Sequence, residues 1–275
     1  MNVVYVSPNA SISASALIAS TASIYGAAEI GAHAIVGHGV IVGFPSPRDQ
    51  RALVQQGGLP GSDLDESFDM LASQIRTEIG ERVHLRSGTV VYAGASVGPD
   101  CDCGHNVMIR ELTTIGPRTY LTTGTQVMAE VSVGSDCRLA GSLCNRSAVG
   151  RYSSMLGHLM HSFSGGLPGA IEASPRIGSG VIVGREAAVV GDVEVANFCI
   201  IGAGAVLTKS AGVVGEVWLG NPAKPQRMRD KAAINQLVGL LDGLGTPPAE
   251  SDGMAVGFPQ SAITAYDGGV TGTPM

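Results

Sequence analysis

Aliphatic residues recur along this chain at every sixth position. Ile12, Ile18, Ile24, Ile30, Val36 and Val42 keep that spacing without an error. Ile79, Leu85, Val91, Val97, Cys103, Ile109, Ile115, Leu121, Val127, Val133 and Leu139 resume it. After a slip of four residues come Val149 and Met155, then Ile177, Val183, Val189, Val195, Ile201 and Leu207. Neither a helical period of 3.6 nor a strand alternation of two generates this column, and a longer fixed period signals a repeat architecture. A small residue tends to stand two positions before each column member, and Gly often follows it. Six residues make one short strand plus a corner, and three such units close one turn of a triangular prism. The column then points inward and stacks on its copies. The pattern predicts an all-β solenoid, a three-sided parallel β-helix of about eight coils and ~40 Å in height.

The breaks in the period set the domain organisation. The prism occupies residues 1–220, with insertions at 44–78 and 161–176. The first insertion is marked by Pro45, Pro47, Gly57, Gly58, Pro60 and Gly61. Within it, Ser62 or Asp63 caps a short helix with Leu64, Phe68 and Leu71 on one face. A long excursion from a rigid solenoid reads as a lid or a subunit contact. The second insertion, HSFSGGLPGAIEASPR, reads as an active-site loop, because rigid scaffolds carry their chemistry on loops. Residues 221–245 form an extension in which Ile234, Leu237, Val238 and Leu241 keep helical spacing, predicting a short helix that caps the open end. The tail 246–275, rich in Pro, Gly and Ser, is predicted to be poorly ordered.

Composition narrows the function. Of 275 residues 39 are Gly, and aromatics make up only 4 %, which suits a narrow prism interior. A net charge of −6 argues against nucleic acid as a partner. No apolar run approaches the ~20 residues that span a membrane, and no signal pattern opens the chain, so the cytoplasm is the default location. Cys101, Cys137 and Cys199 fall in the small slot and Cys103 in the column, where free Cys packs well. Metal binding by these cysteines is not expected.

The six-residue repeat, the closing coil Gly202–Ser210 (GAGAVLTKS) and the exit Leu219–Lys224 (LGNPAK) resemble the left-handed β-helix, hexapeptide-repeat acyltransferases over residues 8–230. GFPSPRD, IGERVHLRSGTVVYAG and HNVMIRE resemble, more narrowly, the acetyltransferases acting on amino groups of nucleotide-linked sugars. That resemblance implies a left-handed parallel β-helix assembled as a homotrimer. It implies an acyl-CoA donor, most simply acetyl-CoA, lying in the groove between prisms, and a histidine as general base. The acceptor implied is an amino sugar, nucleotide-linked or from an antibiotic pathway. A donor on acyl carrier protein and a non-catalytic scaffold remain alternatives. His33 and His38 are spaced as in gamma-class carbonic anhydrases, a zinc enzyme of similar fold, but that family's remaining ligand is not evident.

Acyl transfer to an amine needs a proton acceptor, a donor set for the oxyanion and close positioning. His158 and His161, where the second insertion begins, are the candidate bases. His105, Asn106, Arg110 and Glu111 are candidates for substrate binding, with Arg110 in a slot usually held by Gly. A register count with a single slip places His105 and His161 at one corner, about three strand spacings or ~14 Å apart. His84 reads as a surface residue. Backbone N–H groups near Gly157, Gly165 or Gly166 are candidate oxyanion donors. For CoA the late coils offer Gly184, Gly202, Ala203 and Lys209, then Lys224 and Arg227, whose charges suit its phosphates.

Overall fold

A computed structural model of the chain describes residues 5–55, 57, 63–162 and 172–243. The tail 246–275 and the positions Ser62, Gly165 and Gly166 lie outside them. The first twenty-seven strands divide by threes into nine coils and stack into three parallel sheets. Face 1 begins with Ser11–Ile12, face 2 with Leu17–Ile18 and face 3 with Ser23–Ile24. Pairing runs between residues eighteen apart, as in Ser96↔Thr114 and Tyr120↔Arg138. The expected class, a parallel β-helix built on hexapeptides, is therefore the fold. Nine coils at ~4.8 Å give a prism ~43 Å tall.

The column is the core. Every member from Ile24 to Leu207 is buried, so each coil shields the next and the stack needs no second layer. The slot two residues before the column has a second task. Thr89 Oγ1 donates to the Gly104 carbonyl at 2.9 Å, Thr113 to Met128 at 2.7 Å and Ser153 to Gly178 at 3.0 Å. These hydroxyls satisfy corner carbonyls of the following coil that would otherwise be buried without a partner. Cys101 and Cys137 take the same slot and reach Gly116 O and Gly150 O. Burial pushes their thiols up to about 11 and about 12, respectively. All five cysteines are free.

Turning through each corner demands left-handed backbone. Among the described residues twelve non-glycine residues adopt it, including Asn106 (φ 54°), Leu112 (φ 58°) and Glu186 (φ 57°). The edge from face 1 to face 2 stacks backbone on backbone so closely that a Cβ on Gly98 would lie 2.7 Å from Pro117 N. Ion pairs climb this edge, Arg82 to an exposed Asp100 at 2.6 Å and Arg118 to a buried Asp136 at 2.6 Å.

The structure corrects the slip. Strands Ser142–Leu143 and His158–Met160 both lie on face 3, and each follows the preceding column residue by four positions instead of six. Leu143 and Leu159 are column members with 0 % and 1 % exposure. Two short rungs, not one, therefore tighten the edge between faces 2 and 3. The single-slip count missed the second because Met155 to Ile177 spans the rung and the insertion together.

Both insertions leave the edge between faces 3 and 1. The first contains helix α1 (Pro47–Gln55), absent from the sequence expectation, and helix α2 (Leu64–Ala72). Asp63 caps α2 by accepting from Glu66 N. The apolar face expected there is only partly right, because Leu64 is 63 % exposed. Phe68 instead packs edge-on against Tyr25 and Phe44. The α2 carboxylates point back to the prism: Asp69 accepts from Gly26 N at 2.7 Å and Asp65 from Tyr25 Oη at 2.6 Å.

After the last coil, Glu216–Leu219 adds a strand to face 2 and Lys224–Met228 returns antiparallel to it. Helix α3 (Lys231–Leu241) does not cap the open end. Leu237 lies beside Gly180 and Phe198, and Ile234 beside Gly215, along the edge between faces 1 and 2. Arg229 fastens that arrangement by donating to Gly180 O at 2.9 Å and Phe198 O at 3.2 Å.

Candidate active site on the edge between faces 2 and 3

Where the two short rungs turn, backbone packs closely on backbone. Gly157 is buried, and a methyl on it would collide with the Ala187 carbonyl and lie 2.8 Å from that of Gly184. A methyl on Gly141 (φ 96°) would press on Gly157 and come within 3.4 Å of His158 Cε1. These glycines let face 3 begin two residues early and place Ser142 and His158 side by side, pointing outward.

The register on face 3 runs Met108↔Gln126↔Ser142↔His158↔Ala188. Ser142 Oγ lies 2.9 Å from His158 Nδ1. His158 Nε2 faces Glu186 Oε2 at 3.8 Å, and the His158 side chain is 36 % exposed. A half-open imidazole thus has a hydroxyl at hydrogen-bond distance on one nitrogen and, beyond that distance from the other, a carboxylate that is 75 % exposed.

The other candidates distribute over two edges. His105 and Asn106 share the edge of His158, three rungs above Gly157 or ~14 Å away. His161 does not share the His105 corner, contrary to the single-slip count. It follows the strand that His158 begins and Met160 ends, on the edge between faces 3 and 1, where Nδ1 lies 3.3 Å from Ala173 O. Arg110 and Glu111 sit on that second edge as a two-pronged pair, at 3.1 and 2.6 Å, with the guanidinium over the Tyr92 ring. Lys209 follows Leu207 on the same edge and is exposed.

Gly184, Gly202 and Ala203 lie on the His158 edge, one and two rungs below it. Their small size is already required there, since a Cβ on Gly184 would sit 2.9 Å from Ala203 Cα. Lys224 pairs with Leu219 at the foot of this edge, and Arg227 lies opposite Val217 further across face 2. Both are exposed, and among the described residues neither meets a carboxylate. His84 is half-buried on face 2, where burial first and then the Arg86 charge lower its basicity.

Sequence reasoning missed Ser142 and Glu186. Ser142 was hidden by the slip, and the Glu186 contact spans the second insertion, which no period count crosses. His33 and His38 fall on different edges. Among the described residues no three His, Cys, Asp or Glu side chains cluster as a metal site.

No family model matches the chain, and no curated protein matches it. Solved structures do. A UDP-N-acetylglucosamine O-acyltransferase (LpxA) from Moraxella catarrhalis is 19 % identical, with 95 % of this chain and 81 % of that one covered and a TM-score of 0.33. The polysialic-acid-specific acetyltransferase NeuO is 16 % identical over 84 % and 93 %, TM-score 0.39. AntD, an N-acyltransferase from Bacillus cereus solved with dTDP and coenzyme A, is 15 % identical over 55 % and 86 %, TM-score 0.27. These scores are too low to carry residue roles to this chain, and the fold rests on its own strand register. No helix among the described residues is long and apolar enough to cross a membrane.

Proposed function

We propose that the protein is an acyltransferase that moves an acyl group, most simply acetyl, from acyl-CoA to the amino group of a sugar. The observation that supports this reading is the layout of one edge. The His158 imidazole stands at the short rungs, small corners at Gly184 and Gly202–Gly204 follow below, and the Lys224 cation waits about three rungs or ~14 Å away. An extended pantetheine arm spans such a distance, so a thioester at His158 leaves its phosphates among Lys224 and Arg227. Lys224 and Arg227 suit the phosphates because no carboxylate among the described residues already neutralises them.

His158 takes the acceptor's proton, and proximity supplies the larger share of the rate, ~7–11 kcal/mol against a base worth ~10²–10⁴-fold. His105 and Asn106 higher on the edge would hold the acceptor, with a nucleotide-linked amino sugar as the class. Arg110, Glu111, Lys209 and His161 reach this site only across a groove shared with a second prism, as in a homotrimer. A cytoplasmic location goes with that donor.

Thiol release from acetyl-CoA over a panel of amino sugars tests the reading. His158→Ala is expected to lower turnover ~10²–10⁴-fold with little change in the donor KM. His161→Ala is expected to leave turnover within a few-fold. Absence of thiol release with every acceptor, from acetyl-CoA and from acetylated carrier protein alike, would leave the scaffold reading.

A further inference from the structure

We propose that face 2 holds a seat for a nucleoside diphosphate, in which Arg138 binds the phosphate and Tyr120, Asp102 and His84 receive the nucleoside. The proposal rests on the acyltransferase reading and names what holds the acceptor beyond its amino sugar. Face 2 changes character along its length. Its outward positions are apolar at the top, Leu17 and Ile35, and at the bottom, Ile182 and Ile200. Between them His84, Asp102, Tyr120 and Arg138 stand on four successive coils in parallel register, ~4.8 Å apart. All four are half-buried.

Arg138 is the anomaly in this column. Its neighbours Arg82, Arg86 and Arg118 each grip an aspartate. Among the described residues Arg138 meets no carboxylate, and its Nε is buried without a hydrogen-bond partner. A guanidinium held partly out of water in this way lacks its anion, and phosphate oxygens on the terminal nitrogens supply one. Asp102 plays the opposite part. Arg86 donates to both of its oxygens, at 3.0 and 2.8 Å, so the pair is neutral overall and does not repel a phosphate two coils below. Its remaining lone pairs can accept from ribose hydroxyls or a base N–H.

The order of chemistry along the face matches the order within such a ligand. His158 stands one coil below Arg138, past the shortened corner. Arg138 precedes Ser142 by four residues, which keeps the two backbones within ~14 Å, and His158 is in register with Ser142. An amino sugar whose amine meets His158 thus leaves its phosphate on the coil of Arg138. The nucleoside then follows upward, with Tyr120 as an aromatic surface and Asp102 and His84 as polar partners. His105 and Asn106 follow Asp102 along the chain and bound this stretch at the edge of His158.

Binding of the ligand fragment tests the seat apart from catalysis. With no acyl donor present, calorimetry on the full-length protein should show uridine or thymidine diphosphate binding more tightly than inorganic pyrophosphate. Arg138→Gln should weaken diphosphate binding about tenfold or more while unfolding at the parent's urea concentration, and Arg138→Lys should recover part of it. Tyr120→Ala should weaken the nucleoside diphosphates and leave pyrophosphate unmoved. Arg151→Gln is the control, because Arg151 also lacks a carboxylate among the described residues but lies over Tyr152 on the edge between faces 1 and 2. It should bind like the parent. In thiol release, Arg138→Gln should raise the KM of a nucleotide-linked amino sugar by the same factor and leave the donor KM alone. No diphosphate binding by the parent, or equal losses in Arg138→Gln and Arg151→Gln, would overturn the proposal and leave the acyltransferase reading standing. Equal affinity for pyrophosphate and the nucleoside diphosphates, with Tyr120→Ala silent, would overturn it too. Diphosphate binding lost only in Arg138→Gln, from a protein that releases no thiol, would support the seat and reject the acyltransferase reading.

Discussion

Gly157→Ala probes whether the tight edge positions the chemistry. The added methyl meets two carbonyls of the next coil, that of Ala187 by collision and that of Gly184 at 2.8 Å. Ordinary carbon–oxygen contact requires roughly 0.5–1 Å more, and both obstacles are backbone within a stacked coil, so no flexible side chain can yield. Relief has to come from shifting the His158 rung outward. Overpacking of this kind costs about 1–3 kcal/mol, and a displacement near 1 Å at a reacting group costs ~10²-fold in rate. Urea unfolding should thus show the loss of stability, and CoA-thiol release should show turnover falling ~10²-fold with a smaller change in donor KM. Gly124→Ala is the control. It lies on the same edge with nothing within 4 Å of its Cβ position but a φ of 76°. It should cost ~1 kcal/mol of backbone strain and leave turnover unaltered. If Gly157→Ala unfolds at the parent's urea concentration and turns over normally, the close packing described for this corner is wrong.

Other perturbations separate donor binding from architecture. Neutralising Lys224 and Arg227 together to Gln should raise the acyl-CoA KM about tenfold or more with kcat nearly constant, because each charge-assisted phosphate contact is worth roughly 1.5–3 kcal/mol before solvent exposure is discounted; an unchanged KM moves the phosphates elsewhere. Arg229→Met should cost ~1–3 kcal/mol, since it leaves the Gly180 and Phe198 carbonyls without their donor, and calorimetry that shows no loss would remove Arg229 as the fastening of α3. The Arg82 hydrogen bond holds the Asp100 carboxyl below its usual range. Its contribution is therefore present above the unfolded carboxylate value and is lost as pH falls through the lower folded value. Asp100→Asn should flatten that acid limb of the stability curve by under ~1 kcal/mol, as the pair is exposed; an acid limb of full slope in the variant would show that other carboxylates set it.

The six-residue column was legible because it is a property of consecutive residues. Each corner must turn after the same number of peptide units, and each inward side chain must be aliphatic to bury itself under the next coil. The small slot was equally plain, although its hydroxyl-to-corner bonds emerged only when Thr89, Thr113 and Ser153 had the following coil beneath them. His158 could be singled out as a residue at the mouth of an insertion. Its partners could not. Ser142 and Glu186 become its neighbours only through coil-to-coil register, and two shortened rungs and an insertion intervene between the chain positions. The direction of α3 likewise depended on where Gly180, beside Phe198, leaves room for Leu237 and Gly215 leaves room for Ile234. Local chain geometry repeats and can be counted from the residues. Contacts between coils accumulate every omission along the way, so the stacked structure alone decides which side chains meet.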